Sequence, residues 1–120
     1  MKDTNKTDSE LRQLVVDLCK VSSESKSQLW RRVADDLLKP TRNRRLVNIF
    51  KLDMFAQDGD VIVVPGKVLG TGDLHRKVTV AAFSFSDSAV AKIKEAKGTV
   101  LTIKELVTKN PSGKDVRVFG

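Results

Sequence analysis

Apolar residues in the first third of the chain recur every three or four positions, which is the period of an α-helix with one buried face. The first stripe consists of Leu11, Leu14, Val15 and Leu18, and the second of Trp30, Val33, Ala34 and Leu37. Thr7 and Glu10 have capping-box spacing before the first stripe, and Pro40 forces the second helix to end by Lys39. The pattern predicts two N-terminal helices, separated at the serine-rich residues 22–25.

Beyond residue 45, β-branched runs alternate with short helical patterns. The strand candidates are Val47 with Ile49, and residues 61–64, 78–85, 99–101 and 116–119. Ser86 is a capping residue, and Thr102 with Glu105 repeats the capping-box spacing, so two short helices are predicted to begin there. Pro65-Gly66 is expected to end a strand and to open a long loop over residues 65–77. The order predicts a single α/β domain over residues 1–120, with two N-terminal helices followed by irregular ββα-type strand and helix turns.

Composition limits the chemistry that the chain can perform. With 120 residues, of which 40% are hydrophobic, the chain can form a packed core without disulfides. Cys19 and His75 are the only residues of their types, so neither a metal site nor a Cys/His catalytic site is expected. The longest apolar runs are far too short to span a membrane, and residues 1–10 lack the apolar stretch of a secretory signal. We therefore expect a cytoplasmic protein without a metal, a cofactor or membrane contact.

The remaining candidate catalytic groups have simpler interpretations. Asp35 and Asp36 point in different directions on a helix, and we interpret them as solvated or arginine-paired carboxylates. The same interpretation is given to Asp58 and Asp60. His75 is followed by two cations and has no serine or cysteine beside it, which favours a surface histidine. Aromatic residues make up 5% of the chain and include no tyrosine, so a base-stacking surface is not evident.

Charge is the strongest indication of function. Lysine and arginine number 22 against 15 acidic residues, which gives a net charge of +7. A basic protein favours a polyanionic partner, because each bound phosphate releases counterions. Residues 39–51 contain no acid and five cations, which are Lys39, Arg42, Arg44, Arg45 and Lys51. Because arginine holds phosphate in a bidentate manner, this segment is the leading candidate for nucleic-acid contact, with a solvated surface as the alternative.

The predicted loop 65–77 is the second candidate. Gly66 and Gly70 would let the backbone approach RNA phosphates closely, and nearby cations would add attraction. These cations are Lys67, Arg76 and Lys77. The glycine spacing fits neither GxxxxGK[ST] nor GxGxxG, so a nucleotide site is not expected, and ordinary turn chemistry is the alternative.

Several segments resemble a known family. They are Leu38-Lys39-Pro40, Arg42-Asn43-Arg44, VVPGKVLGTG at 63–72, KVTVAAFSFSDSA at 77–89 and NPSGKDVRV at 110–118. In this order and spacing they closely resemble the L-eighteen-e family of archaeal and eukaryotic large-subunit ribosomal proteins, a relative of bacterial large-subunit protein fifteen. The resemblance covers nearly the whole chain, and the absence of long basic tails is similar to the archaeal members.

The resemblance implies an α/β fold that lies against large-subunit rRNA in the cytoplasmic ribosome, beside neighbouring large-subunit ribosomal proteins. It implies a structural role with no catalysis, cofactor or small-molecule substrate. By position, the family's KPxRN stretch is Lys39, Pro40, Arg42 and Asn43, and Lys67 of the PGKVLG loop faces phosphate. The complete expected RNA-binding set is Arg31, Arg32, Lys39, Arg42, Asn43, Arg44, Arg45, Lys51, Gly66, Lys67, Gly70, His75, Arg76 and Lys77. A free RNA-binding or RNA-modifying factor is the alternative class of protein.

Overall fold

A computed structural model describes residues 4–38 and 45–119 as five helices and five strands. In chain order the elements are α1 (Thr4–Ser25), α2 (Gln28–Leu37), β1 (Arg45–Asn48), α3 (Ile49–Phe55), β2 (Val61–Leu69), β3 (Thr79–Phe85), α4 (Asp87–Glu95), β4 (Thr99–Thr102), α5 (Ile103–Lys109) and β5 (Val116–Val118). The prediction of an α/β domain that begins with two helices is confirmed.

Strand β2 lies at the centre of a parallel sheet. One edge of β2 pairs with β3, with a register shift between Val64 and Lys67. The other edge is shared, because residues 61–63 pair with β5 and residues 66–69 pair with β1. Strand β4 pairs with the far edge of β3. All of these pairings are parallel, so the carboxyl ends of the strands meet at one border of the sheet.

Helices cover both faces of the sheet. On one face, here called the α3 face, Ile62 and Val64 pack into a core with residues of α3 and α4. On the opposite face, here called the α2 face, Val63 and Ala81 pack with residues of α1, α2 and α5. Because successive strand residues point to opposite faces, a strand covered on both sides needs the continuous apolar run found at residues 61–64.

Local capping signals set the start of the later helices. The Ala89 N–H donates to Ser86 Oγ at 3.2 Å, so Ser86 caps α4. At α5, the Glu105 N–H donates to Thr102 Oγ1 at 3.0 Å, and the Thr102 N–H donates to the Glu105 carboxylate at 2.8 Å. This second hydrogen bond is the main cause that lowers the pKa of Glu105. Both predicted caps are confirmed.

The predicted start and end of α1 are wrong. Helix α1 begins at Thr4 rather than at a cap on Thr7, and it continues to Ser25, where the hydroxyl donates to the Val21 carbonyl at 2.7 Å within the helix. Asp36 is buried, with 5% exposure, so of the two expected interpretations the solvated carboxylate does not apply to it. Helix α2 packs against both α1 and β2, so its buried surface is wider than one stripe and includes Asp36. Asp35 remains exposed and pairs with Arg31 at 3.5 Å.

The sequence analysis predicted that this strand ends at Pro65-Gly66. Strand β2 instead continues to Leu69. Proline lacks an N–H group and is tolerated in a sheet where the pairing is irregular. Pro65 lies in the register shift between Val64 and Lys67, at the point where the partner on the other edge changes from β5 to β1. Ile49, which was expected in a strand, begins α3 instead.

The connection from β2 to β3, residues 70–78, contains no helix or strand, so the expected loop is confirmed for residues 70–77, and it forms a nearly extended crossover. Because the two strands are parallel, it must return from one border of the sheet to the other. The nine residues of β2 cover about 26 Å, and nine extended residues reach about 30 Å, so no length remains for a helix. The crossover passes over the α3 face, where Leu74 and Val78 are buried in the core.

Candidate nucleic-acid interface

Hydrogen bonds to helices α3 and α4 hold the first half of the crossover. Lys92 of α4 donates from Nζ to the Gly70 carbonyl at 2.7 Å and to the Gly72 carbonyl at 2.5 Å. The Phe50 N–H of α3 donates to the Thr71 carbonyl at 2.9 Å. The carbonyl groups of Gly70, Thr71 and Gly72 therefore have partners within the protein. The Lys92 ammonium group has a structural role, because it donates to two of them.

Two aspartates hold the second half of the crossover. Asp53 of α3 accepts the His75 N–H at 2.8 Å, and Asp58 accepts the Lys77 N–H at 2.8 Å. The His75 ring also lies beside the Asp53 carboxylate, with Nδ1 at 3.3 Å from each oxygen. Arg76 lies against the same helix, with Nε at 3.5 Å from the Asp53 carbonyl oxygen. The side chains of His75, Arg76 and Lys77 are exposed although their backbone is held.

The glycines of this region are explained by packing within the protein. A Cβ at Gly70 would overlap the Ser88 side chain and lie 3.0 Å from the Ala89 backbone nitrogen. Gly72 has φ +104°, and a Cβ there would lie 2.7 Å from the Phe50 backbone nitrogen. Gly66 is buried within β2. The close approach that Gly70 and Gly72 permit is therefore made by α4 and α3.

Asp53 and Asp60 on the α3 face are engaged by the protein. The His75 N–H is the main cause that lowers the pKa of Asp53. The Gln57 N–H is the main cause that lowers the pKa of Asp60, and Arg117 adds to it from 2.7 Å. The side chains of Asp53 and Asp60 are 28% and 22% exposed, against 75% for His75 and 47% for Arg117. Asp53 and Asp60 are therefore less exposed than the side chains that contact them, whereas Asp58 and Asp73 are exposed on the same face.

The expected RNA-binding residues lie on both faces of the sheet. Arg31 and Arg32 are exposed on α2. Lys67 is exposed, and its neighbour in the strand, Val68, belongs to the core of the α3 face. Because adjacent strand residues point to opposite faces, Lys67 lies on the α2 face. The residues on the α3 face are Lys51, His75, Arg76 and Lys77.

The densest part of the predicted basic segment lies outside the described residues. Lys39, Pro40, Arg42, Asn43 and Arg44 belong to this part. Arg45 begins β1, so the segment joins α2 directly to the strand that pairs with the second half of β2.

Arg117 is a residue of this surface that the sequence reasoning missed. Its Nη1 lies 2.7 Å from the Asp60 carboxylate and 3.2 Å from the Phe55 carbonyl oxygen. These partners are 57 and 62 positions away in the chain, so no local pattern indicates the contact. Within residues 4–38 and 45–119, no group of three or more histidine, cysteine or acidic side chains could hold a metal ion. No helix in this part of the chain is long and apolar enough to cross a membrane.

Comparison with known proteins decides the family. The family model that unites the ribosomal proteins 50S-L15 and 50S-L18e with their 60S counterpart matches residues 25–101. The chain belongs to this family. The protein from Pyrobaculum aerophilum named large ribosomal subunit protein eL18 is 47% identical over 96% of this chain and 94% of its own length.

Two further relatives carry the same name. The one from Methanoregula boonei is 43% identical over 98% of both chains, and the one from Methanococcus maripaludis is 42% identical over 99% of both chains. The resemblance that the sequence motifs indicated is therefore confirmed, including its archaeal character.

The packing at Gly70 can be tested by a double-mutant cycle with Ser88. We expect Gly70→Ala to lower the free energy of unfolding by about 1–3 kcal/mol, because the added methyl group overlaps Ser88. Ser88→Gly in the same chain should recover part of this loss, measured by urea unfolding. Strictly additive effects of the two substitutions would contradict the packing explanation.

Asp53 should make folding stability depend on acid pH. Its pKa in the folded protein lies below the ordinary value of 3.8, so its contribution is fully present above that pH and is lost as the pH falls through the lowered pKa. The stability difference between the wild type and Asp53→Asn, measured by denaturant unfolding, should therefore shrink as the pH falls from about 5 to about 2. His75→Gln is the matched control, because it keeps the backbone N–H and should keep most of this pH dependence. A difference that stays constant over the range would contradict the assignment.

Proposed function

We propose that this protein is a structural component of the large ribosomal subunit that binds folded rRNA through its basic surfaces. The observation that carries the proposal is the match to large-subunit proteins at 42–47% identity over nearly their whole lengths. The place of action is then the cytoplasmic ribosome. The family is one of structural proteins, which agrees with the expectation that the chain is not an enzyme.

The distribution of charge supports contact with RNA on more than one side. Exposed cations lie on the α2 face and on the α3 face, and residues 39–45 connect α2 to β1 with four further cations. Asp53, Asp58 and Asp60 on the α3 face each accept a hydrogen bond from a backbone N–H group of the protein. A protein with cations on two faces fits between RNA segments, where each face neutralises different phosphates.

Neighbouring large-subunit proteins are the second class of partner in this proposal. The candidate RNA contacts leave parts of the surface without an assigned partner, among them Val16 of α1, which is 60% exposed. Scattered apolar residues of this kind are normal on a protein surface, so Val16 alone identifies no neighbour.

The salt dependence of rRNA binding tests the basic segment. We expect the triple variant Arg42→Ala, Arg44→Ala and Arg45→Ala to bind deproteinised archaeal large-subunit rRNA more weakly than the wild type. Each phosphate contact that is lost should reduce the slope of log K against log salt concentration by about one unit. The measurement is a filter-binding titration repeated over a series of KCl concentrations.

A matched control separates local contact from loss of net charge. Lys94, Lys109 and Lys114 are exposed and lie outside the expected RNA-binding set. Replacing these three lysines with alanine removes the same total charge, and the slope should stay near that of the wild type. Equal slopes for the two triple variants would remove the basic segment from the interface.

A further inference from the structure

The backbone of Lys77, near the end of the crossover, is held on both sides by the turn at residues 57–60, between α3 and β2. The Lys77 N–H donates to Asp58 Oδ1 at 2.8 Å, and the Lys77 carbonyl accepts the Gly59 N–H at 2.7 Å. The next residue, Val78, is buried in the core of the α3 face. The path of the chain through Lys77 is therefore fixed by contacts of its backbone and not of its side chain.

The Lys77 ammonium group is left for a partner outside the chain. The side chain is exposed, and in the described part of the chain it makes no hydrogen bond or ion pair. The nearby carboxylate of Asp58 accepts from the backbone N–H of Lys77 rather than from its ammonium group. Arg117 on the same face differs, because its guanidinium group lies 2.7 Å from the Asp60 carboxylate.

Asp58 has two opposing effects on a polyanion that approaches Lys77. Its charge repels phosphate, but an exposed charge is screened beyond about 8 Å at physiological ionic strength. Its hydrogen bond holds the Lys77 backbone before the polyanion arrives, so less chain entropy is lost when the ammonium group binds. Because the hydrogen bond is direct and the repulsion is screened, we expect the ordering effect to be the larger one.

We propose that Asp58 is a positioning residue for rRNA binding, which orders the backbone of Lys77 so that the Lys77 ammonium group meets an rRNA phosphate. An acidic side chain thereby promotes the binding of a polyanion. Lys77 makes the contact, and Asp58 acts only through Lys77. The inference rests on the proposed rRNA binding and adds the residue that prepares one of its contacts.

Two substitutions at Asp58 separate its charge from its hydrogen bond. Asp58→Ala and Asp58→Asn remove the same charge, but the asparagine carbonyl can still accept the Lys77 N–H. Asp73→Ala is the matched control, because Asp73 is exposed on the same crossover and makes no hydrogen bond or ion pair with the described residues. The hydrogen bond at Asp58 is exposed, so its loss should cost little global stability, and equal unfolding midpoints verify that every variant folds.

Binding is measured with the full chain and deproteinised archaeal large-subunit rRNA over a series of KCl concentrations. We expect Asp58→Ala to bind about 3- to 10-fold more weakly than the wild type, although it raises the net positive charge. Asp58→Asn and Asp73→Ala should bind at least as tightly as the wild type. Lys77→Ala should bind about 10-fold more weakly and should reduce the salt slope by about one unit.

A double variant tests whether Asp58 acts through Lys77. In a chain that already carries Lys77→Ala, the further change Asp58→Ala should not weaken rRNA binding, because no ammonium group is left to position. A general disturbance of the fold would weaken binding in both backgrounds, and that result would overturn the inference.

Other results overturn the inference without touching the proposed function. If Asp58→Ala binds as tightly as the wild type or more tightly, the carboxylate acts only as a charge. If Asp58→Asn is as weak as Asp58→Ala, the hydrogen bond is not the cause. If Lys77→Ala binds normally while the wild type shows a clear salt slope, there is no contact to position. If the wild type shows no salt-dependent rRNA binding, the proposed function itself fails.

Discussion

Strand β2 is the element on which the rest of the structure depends, because strands pair with both of its edges and helices cover both of its faces. Strands β5 and β1 divide one edge between them, and β3 takes the other. The chain that leaves β2 must therefore cross the α3 face to reach the start of β3, and it does so in nine residues. Lys92, Asp53 and Asp58 hold this crossover at both ends. Its exposed cations consequently occupy defined positions rather than belonging to a mobile loop.

Local signals in the sequence predicted much of this fold. The caps at Ser86 and Thr102 depend on groups three residues apart, so their spacing is visible in the chain itself. The stripes of α1 and α2, the β-branched strands and the buried Trp30 also follow from local periodicity. What local patterns cannot show is which elements become neighbours. Pro65 lies inside a strand only because two different partners meet beside it, and Asp36 is buried only because α2 has neighbours on two sides.

The candidate nucleic-acid interface was also predictable only where local patterns in the sequence indicate it. Clusters of cations are visible in sequence, whereas their distribution over two faces of the sheet depends on the topology. The glycines indicated close approach correctly, but at Gly70 the approaching group is Ser88 of the protein itself. Phe50 and Phe55 are more than half exposed, although an aromatic residue at helical spacing is ordinarily assigned to a core. Together these features describe a parallel sheet covered by helices, with exposed cations on both of its faces.

Sedimentation of the large subunit through a high-salt sucrose gradient tests the central claim most directly. The experiment uses archaeal cells in which an epitope-tagged copy replaces the native protein. A structural component bound to rRNA on two faces should remain with the large subunit after a wash that removes loosely bound factors, and it should be present at about one copy per subunit. Recovery of the tagged protein at the top of the gradient, with large subunits that sediment normally without it, would contradict the account.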